Sequence, residues 1–577
     1  MASADPTARA AGLSLPTFGW ILGPWQDFLL FIGTPLIVVP LILLAQQAFS
    51  VTALFGLVAS FGAMGHHLPG MMRAYGDRAL FARFKVRFIV APLLLLAVCT
   101  GFRLWNSSPL QLTLFGWGLW HAFMQAHGIA RIYDAKAGSV DPITIRLDFL
   151  LLGCWFLGVV LLSPLRLPQL IGFLYDCGLP FVAPAVIEAL QGAAAAAMLG
   201  VTAVYVVHAL RRTRAGTPPS ALKLVLHLTT IAFWAFCNLA VGHVLLAILL
   251  FEIFHDVQYL AIVWVFNRRR VVSDPAAGAF TRFLFRQRGY LVVLYVGLVA
   301  GYGSLNLLGG NISEAYDIGG FVGGIVAAST LLHFYYDGFI WKLREADVSR
   351  TLGVRADALA GPIGRTRPGL RHGLRCAFFA ALLLLVVLNM LFWRTPISEL
   401  ERYASLAAIS PRDGTIQGTL AELRGTAGDF VGAIEAGRRA RGALGSDAAD
   451  RGVAETVRKN LATALRLQSG LLIEQGSTQE ATELLREATQ LDASVPARVR
   501  ADARQAESRG DLAGAASHYA VATQIDPGDA LAWVGLARVR LAQGRIPEAL
   551  ASADRAQALA PDHPVVAELQ QALAGER

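Results

Sequence analysis

Charged residues are scarce in this chain. Lysine, arginine, aspartate and glutamate make up 16% of its 577 residues, whereas 55% of the residues are hydrophobic. The mean hydropathy is +0.50. Since a soluble protein carries about a quarter charged residues, this composition argues against an ordinary soluble protein and predicts an integral membrane protein in contact with a lipid bilayer. No basic run with interleaved aromatic residues occurs in a soluble segment, so we expect no nucleic-acid partner.

Cysteines are also few and widely separated. None of the five forms a CxxC pair, which argues against a disulfide framework and a zinc–thiolate site. The first 26 residues lack the basic start and the small-residue cleavage site of a signal peptide. We therefore expect residues 1–27 to form an N-terminal tail ahead of a retained membrane helix.

Long apolar windows dominate residues 28–394, where we predict an all-α, polytopic membrane bundle. A helix needs roughly 20 apolar residues to cross a hydrocarbon core about 30 Å thick. About eleven windows are long enough, at 28–45, 51–72, 86–105, 109–132, 145–165, 186–210, 222–241, 242–266, 290–308, 318–341 and 374–393.

Basic residues collect in alternate loops of this bundle. With the N-terminus inside, 27 of the 30 lysines and arginines in residues 1–394 lie on one side and three on the other. By the positive-inside rule the richer side is cytoplasmic. We therefore expect a multi-pass protein of a bacterial inner membrane with a cytoplasmic N-terminus. Eleven spans place the C-terminal domain outside the cytoplasm, and an error of one span would reverse that.

A 34-residue repeat occupies the C-terminal region. Gly476, Gly510 and Gly544 share one register position. This register resembles that of tetratricopeptide (TPR) repeats, which implies a solenoid of helix pairs whose concave face binds a protein or peptide partner. We predict a TPR α-solenoid at 461–577, preceded by a degenerate, TPR-like helical region at 395–460. Two further positions repeat with the same period, as alanines 481, 515 and 549 and alanines 488, 522 and 556.

Histidines of several predicted spans lie at similar depth. A rise of about 1.5 Å per residue places four of them, on four helices, between about 9 and 20 Å from the cytoplasmic edge. Ionisable groups inside a bilayer usually mark a pathway or a cofactor site, and histidine is the commonest ligand of transition metals. We predict a metal site, and the candidate ligands are His66, His67, His121, His127, His255 and His333.

Acidic residues accompany these histidines. Glu252 precedes His255 by three residues and Asp337 follows His333 by four, so each pair shares a helix face. The first spacing occurs in di-iron carboxylate sites of helix bundles. We take Glu252, Asp337 and Tyr259 as candidate catalytic residues. Mixed imidazole and carboxylate ligands favour non-haem iron, while haem, copper and zinc remain open.

Three segments, "HDVQYLAIVW", "WHAFMQAHG" and "HFYYDGFIWKLR", resemble those of a group of bacterial multi-pass proteins of unassigned activity. In its architecture and its use of histidine the chain also resembles the Brp/Blh type of membrane carotenoid-cleaving oxygenase. That resemblance implies iron held by helix-borne histidines. The HxxxH and HxxHH boxes of membrane desaturases are not present.

These observations favour a metal-dependent membrane oxidoreductase or oxygenase that acts on a lipid-soluble substrate. Two alternatives remain. Glu252, His255 and Asp256 would serve as a proton relay in a proton- or ion-coupled transporter, or the TPR region would be the working part of a membrane-anchored scaffold or assembly factor. A single intramembrane histidine is also about as often a hydrogen-bonding contact between helices as a ligand.

Overall fold

Regular structure is entirely helical in the residues that the computed structural model describes, as predicted. The described residues are 19–274, 277–286, 288–307, 319–342, 345–354, 368–393, 396–444 and 451–574. Residues 1–18 of the predicted tail, several basic loop residues between 344 and 367, and Arg394 lie outside them. The chain divides into two compact units, Met1–Pro396 and Ile397–Arg577.

The first unit contains the apolar helices. In chain order they are α1 (Pro24–Ile32), α2 (Thr34–Ala45), α3 (Val51–Gly76), α4 (Arg78–Arg83), α5 (Lys85–Trp105), α6 (Ser108–Lys136), α7 (Pro142–Leu162), α8 (Arg166–Asp176), α9 (Pro184–Arg214), α10 (Ala221–Ala240), α11 (Val244–Ser273), α12 (Ala279–Phe285), α13 (Leu291–Gly303), α14 (Gly319–Ile340), α15 (Ala346–Leu352) and α16 (Pro368–Phe392).

Six of these helices are long and apolar enough to cross a membrane, namely α3, α5, α7, α9, α10 and α11. Helices α1 and α2 meet at a bend of 56° and make a seventh if they form one span. Four of the eleven predicted spans do not meet this criterion. Helices α6 and α14 are long, but histidines and other polar residues interrupt them, and the apolar parts of α13 and α16 are short. The structure thus shows fewer candidate spans than the eleven predicted.

Large apolar side chains cover the outside of the first unit. On α5, Val86 and Leu93 are 72% and 66% exposed, and on α9 Leu199 is 70% exposed. Contiguous apolar surface of this kind is rare on soluble monomers and marks a protein or membrane contact. The exterior of these helices is therefore suited to lipid.

A buried ion network ties α6, α7, α9 and α10 together. The Lys223 ammonium lies 3.0 Å from Asp134 and 3.1 Å from Asp148, and all three side chains are fully buried. Asp148 also accepts a hydrogen bond from the Tyr205 hydroxyl at 2.8 Å and lies 3.1 Å from Nε2 of His227. Because opposite charges meet within the network, the Lys223 ammonium and the two carboxylates compensate one another's desolvation.

We expect Lys223→Met to lower the stability of the first unit strongly. It removes one of the two cations, Lys223 and Arg131, that contact both Asp134 and Asp148. One buried carboxylate charge is then left uncompensated, and breaking a buried ion pair on one side costs about 3–5 kcal/mol. Thermal unfolding of the full chain in detergent measures this. Adding Asp134→Asn to Lys223→Met should restore part of the loss, and an unchanged midpoint in the single variant would show that the network does not stabilise the bundle.

The second unit is a row of shorter helices. They are α17 (Glu399–Ile409), α18 (Gly414–Thr426), α19 (Phe430–Ala443), α20 (Arg451–Glu474), α21 (Thr478–Leu491), α22 (Val495–Ser508), α23 (Leu512–Ile525), α24 (Ala530–Ala542), α25 (Ile546–Leu559) and α26 (Pro564–Leu573). Helices α18 to α25 pack as four consecutive pairs, and the six alanines of the 34-residue register are at most 1% exposed.

Glycines place the turn inside each helix pair. Gly476, Gly510 and Gly544 have φ of 83°, 80° and 74°, and Gly428 has φ of 82° in the pair α18–α19. Only glycine adopts this left-handed conformation without a steric penalty, and it commonly ends a helix in this way. The 34-residue repeat of glycines in the sequence thus corresponds to a repeat of left-handed turns between paired helices.

Arginine–glutamate pairs join successive repeats. Nε and Nη2 of Arg538 on α24 lie 2.6 Å from the two carboxylate oxygens of Glu507 on α22. The hydrogen bonds from Arg538 hold the pKa of Glu507 below its ordinary value. Because this pKa is lowered in the folded state, the pair stabilises the unit above the ordinary glutamate pKa, and its contribution is lost as the pH falls through the folded value.

Two glycine substitutions should shift the stability of the second unit in opposite directions. Gly510→Ala forces alanine into a left-handed conformation and should cost about 1 kcal/mol. Gly470→Ala, inside α20 where an added methyl group meets no atom within 4 Å, should stabilise by about 0.5–1 kcal/mol. Urea unfolding of the full chain, followed by a probe in this unit, measures both. Equal effects would contradict the assigned turn geometry.

Candidate metal centre

The local fold of α3 brings two adjacent histidines into the interior. The helix runs in π geometry over Val58–Met64 and returns to α geometry at His67–Gly76. Short π-helical segments shift the helical phase and are frequent at functional sites. His66 and His67 follow this change and are both only 3% exposed.

Three imidazoles from three helices converge on one point. Nε2 of His333 on α14 lies 3.0 Å from Nε2 of His66 and 3.1 Å from Nε2 of His121 on α6. The ligand nitrogens of all three lie within 4.8 Å of one another. Their side chains are buried, with exposures of 3% for His66, 7% for His121 and 1% for His333.

Hydrogen bonding among the imidazoles does not account for this convergence. Nε2 of a neutral imidazole carries either one proton or one lone pair. His333 Nε2 faces two other Nε2 atoms, so it can form only one full hydrogen bond with them, while its Nδ1 has no hydrogen-bond partner among the described residues. Neighbouring nitrogen ligands at about 2.1 Å from a metal ion are about 3.0 Å apart in octahedral and about 3.4 Å apart in tetrahedral geometry. The two distances of 3.0 and 3.1 Å lie within this range.

Two further histidines complete the cluster. The ring of His255 on α11 lies 5.1 Å from that of His121 and 5.4 Å from that of His66. The ring of His67 stacks on that of His333 at 4.7 Å, and its Nδ1 lies 3.0 Å from the Ser329 hydroxyl. Five histidines on four helices thus form one buried group, and His67 faces Ser329 rather than the point of convergence.

Asp337 is held beside this group by two donors. Its Oδ1 accepts hydrogen bonds from the Tyr259 hydroxyl at 3.1 Å and from Trp341 Nε1 at 3.0 Å. Its Oδ2 lies 3.7 Å from His333 Nε2. The predicted residues Asp337 and Tyr259 therefore adjoin the imidazoles, and Trp341, which the sequence did not single out, fixes the carboxylate.

Two predicted site residues take other positions. His127, six residues after His121 on α6, points away from the cluster, and its ring lies 5.8 Å from that of Phe149. Glu252 lies one helical turn before Asp256 and interacts electrostatically with it and with His66. The structure therefore brings five of the six candidate histidines together and places Glu252 at the edge of the group.

Asp256 is a close neighbour of the cluster, although it was not among the predicted site residues. Its Oδ1 lies 2.7 Å from Nδ1 of His66. With His66 and His255 it forms a second group whose ligand atoms lie within 4.8 Å of one another. Because Asp256 follows His255 directly in the sequence, it was expected near the cluster. Its contact with His66 on α3 depends on tertiary packing, which the sequence does not show.

Comparison with known proteins identifies part of the second unit. Residues 506–573 match a family model described as "Tetratricopeptide repeat". A structural match is "Crystal structure of YrrB: a TPR protein with an unusual peptide-binding site", with 20% identity, a TM-score of 0.16, and coverage of 34% of this chain and 89% of that chain. The comparison with curated proteins found no match. The family model therefore supports tetratricopeptide repeats at residues 506–573, which lie within the predicted solenoid at 461–577.

Proposed function

We propose that the chain is a metal-dependent oxidoreductase of the membrane that acts on a lipid-soluble substrate, with a TPR unit that binds a protein partner. The observation that carries the first part is the meeting of three imidazole Nε2 atoms at 3.0 and 3.1 Å inside an apolar bundle. The repeats of the second unit support the second part, since such stacks bind peptides and proteins.

The proposed setting is a bacterial inner membrane, crossed eleven times, with a cytoplasmic N-terminus and an extracytoplasmic TPR unit. The 27-to-3 distribution of basic loop residues supports this orientation. The six long apolar helices and the apolar exterior of α5 and α9 support insertion. Helices α6 and α14 would cross within the bundle, where their polar residues face the histidine cluster rather than lipid.

His66, His121 and His333 would hold the metal ion, and the His255 ring lies beside them. A set of imidazoles with adjacent carboxylates suits non-haem iron better than it suits copper, which prefers softer ligands. Metal analysis also tests for zinc, copper and haem. Bound iron supplies redox chemistry with dioxygen. Tyr259 and Trp341 hold the Asp337 carboxylate toward His333, where it can accept a proton or complete the ligand set.

Aromatic side chains pack beside the cluster. The ring of Phe334 stacks on that of His121 at 4.6 Å, and Trp117 on α6 stacks on Phe379 of α16 at 5.4 Å. Such walls exclude water and favour an apolar substrate. A polyene or another lipid-soluble chain fits these surroundings better than a charged metabolite does.

Removal of either central ligand should empty the site. The wild-type protein, purified in detergent, should contain about one metal ion per chain, and His121→Ala and His333→Ala should each lower that content to below about a tenth, because a three-imidazole site loses a third of its nitrogen ligands. Elemental analysis and Fe²⁺ titration against a chelator measure this.

His208→Ala is the matched control, because His208 Nε2 lies 2.8 Å from the Thr144 hydroxyl, away from the cluster. It should retain full metal content. A folded wild-type protein that binds no metal would contradict the proposed function and favour the transport or scaffold alternative.

Metal binding and partner binding should be separable. Leu485→Asp places a charge at a fully buried position of the second unit and should disrupt the repeats, so that partner proteins cross-linked in native membranes are lost while the metal is kept. His121→Ala should do the reverse. Mass spectrometry of cross-linked complexes and metal analysis measure the two effects. Identical cross-linked partners in wild type and Leu485→Asp would contradict the role of the repeats.

A further inference from the structure

The Asp256 carboxylate is buried and closely packed against α3. An added methyl group at Gly62, in the π-helical segment of α3, would overlap the Asp256 carboxylate. Asp256 is 3% exposed, and neither of its oxygens has an aligned hydrogen bond among the described residues. A buried carboxylate at this position is therefore costly unless a neighbouring group compensates its desolvation.

The nearest polar atom to this carboxylate is Nδ1 of His66. Asp256 Oδ1 lies 2.7 Å from it, and the Gly62 carbonyl oxygen accepts a hydrogen bond from the same nitrogen at 3.2 Å. Two acceptors on one side of the ring place the proton of a neutral imidazole on Nδ1. The lone pair then lies on Nε2, which is the atom that faces His333.

We propose that Asp256 is a positioning residue that fixes the tautomer and ring orientation of His66 for metal binding. This inference rests on the proposed function and deepens it. A carboxylate paired with the outer nitrogen of a ligating histidine also makes the inner nitrogen a stronger ligand. Asp256 acts through His66 and does not itself contact the metal ion. Gly62 contributes to the same arrangement, because only glycine leaves room for the Asp256 carboxylate.

The test is the affinity of the detergent-purified full chain for Fe²⁺, measured against a competing chelator under anaerobic conditions. Asp256→Asn should weaken binding about 10- to 100-fold with the stoichiometry unchanged, as for other outer partners of ligating histidines. Gly62→Ala, which displaces the carboxylate without removing it, should weaken binding similarly. The two substitutions combined should give no larger loss than the greater single effect, since both remove one interaction.

Gln258→Leu is the control for packing of α11. Gln258 is also buried, but its Nε2 donates to the Phe31 carbonyl oxygen at 2.8 Å, outside the cluster, so Fe²⁺ affinity should be unchanged. If Asp256→Asn does not fold, Gly62→Ala alone carries the test.

The outcomes separate the two proposals. A wild-type protein without metal contradicts the proposed function itself. A wild type that binds metal, with unchanged affinity in Asp256→Asn and Gly62→Ala, contradicts the positioning role alone. Two Fe²⁺ ions per wild-type chain, of which Asp256→Asn loses one, would also overturn it, because Asp256 would then be a direct ligand of a second ion with His66 and His255.

Discussion

Polar groups buried among apolar helices must find partners, and the first unit meets this requirement in two different ways. Around Lys223 the chain supplies its own counter-charges, since the ammonium contacts Asp134 and Asp148. Around His333 it places several imidazoles with their Nε2 atoms facing one another. Imidazoles pointing Nε2 at Nε2 cannot satisfy one another in full, so a cation would complete the second cluster, whereas the first cluster already contains its own.

The Lys223 network suits a structural role, whereas the histidine cluster suits the proposed functional role. The Lys223 network joins four helices and has opposite charges in contact, which suits a structural role. The histidine cluster also joins four helices, but its carboxylates are arranged around imidazoles instead of arginines or lysines. Asp337 is held by Tyr259 and Trp341, and Asp256 by its position against Gly62. Both carboxylates are thus held close to imidazole nitrogens, Asp256 to Nδ1 of His66 and Asp337 to Nε2 of His333.

Sequence periodicity was sufficient for the second unit because each repeat depends on local geometry. Gly476, Gly510 and Gly544 mark turns with positive φ, and a 34-residue spacing reveals them without any knowledge of packing. The histidine cluster was partly accessible in the same way, because depth along a helix follows from residue count. Rotation about the helix axis does not follow so simply, which is why His127 was kept among the candidate ligands and instead lies against Phe149.

Helix length and apolarity likewise predicted only those spans that are apolar throughout. Helices α6 and α14 carry the residues of the cluster, and those same residues remove them from the set of candidate spans. The contact of Asp256 with His66 joins two helices far apart in sequence and depends on the π-helical segment of α3. No local pattern encodes such a contact.

We propose that one metal ion lies among His66, His121 and His333. Anomalous diffraction from crystals of the full-length protein, recorded at the absorption edge of the co-purified metal, tests it most directly. We predict a single peak about 2.1 Å from the three Nε2 atoms. Ordered imidazoles in the same arrangement with no peak between them, or a peak only elsewhere in the chain, would contradict the claim.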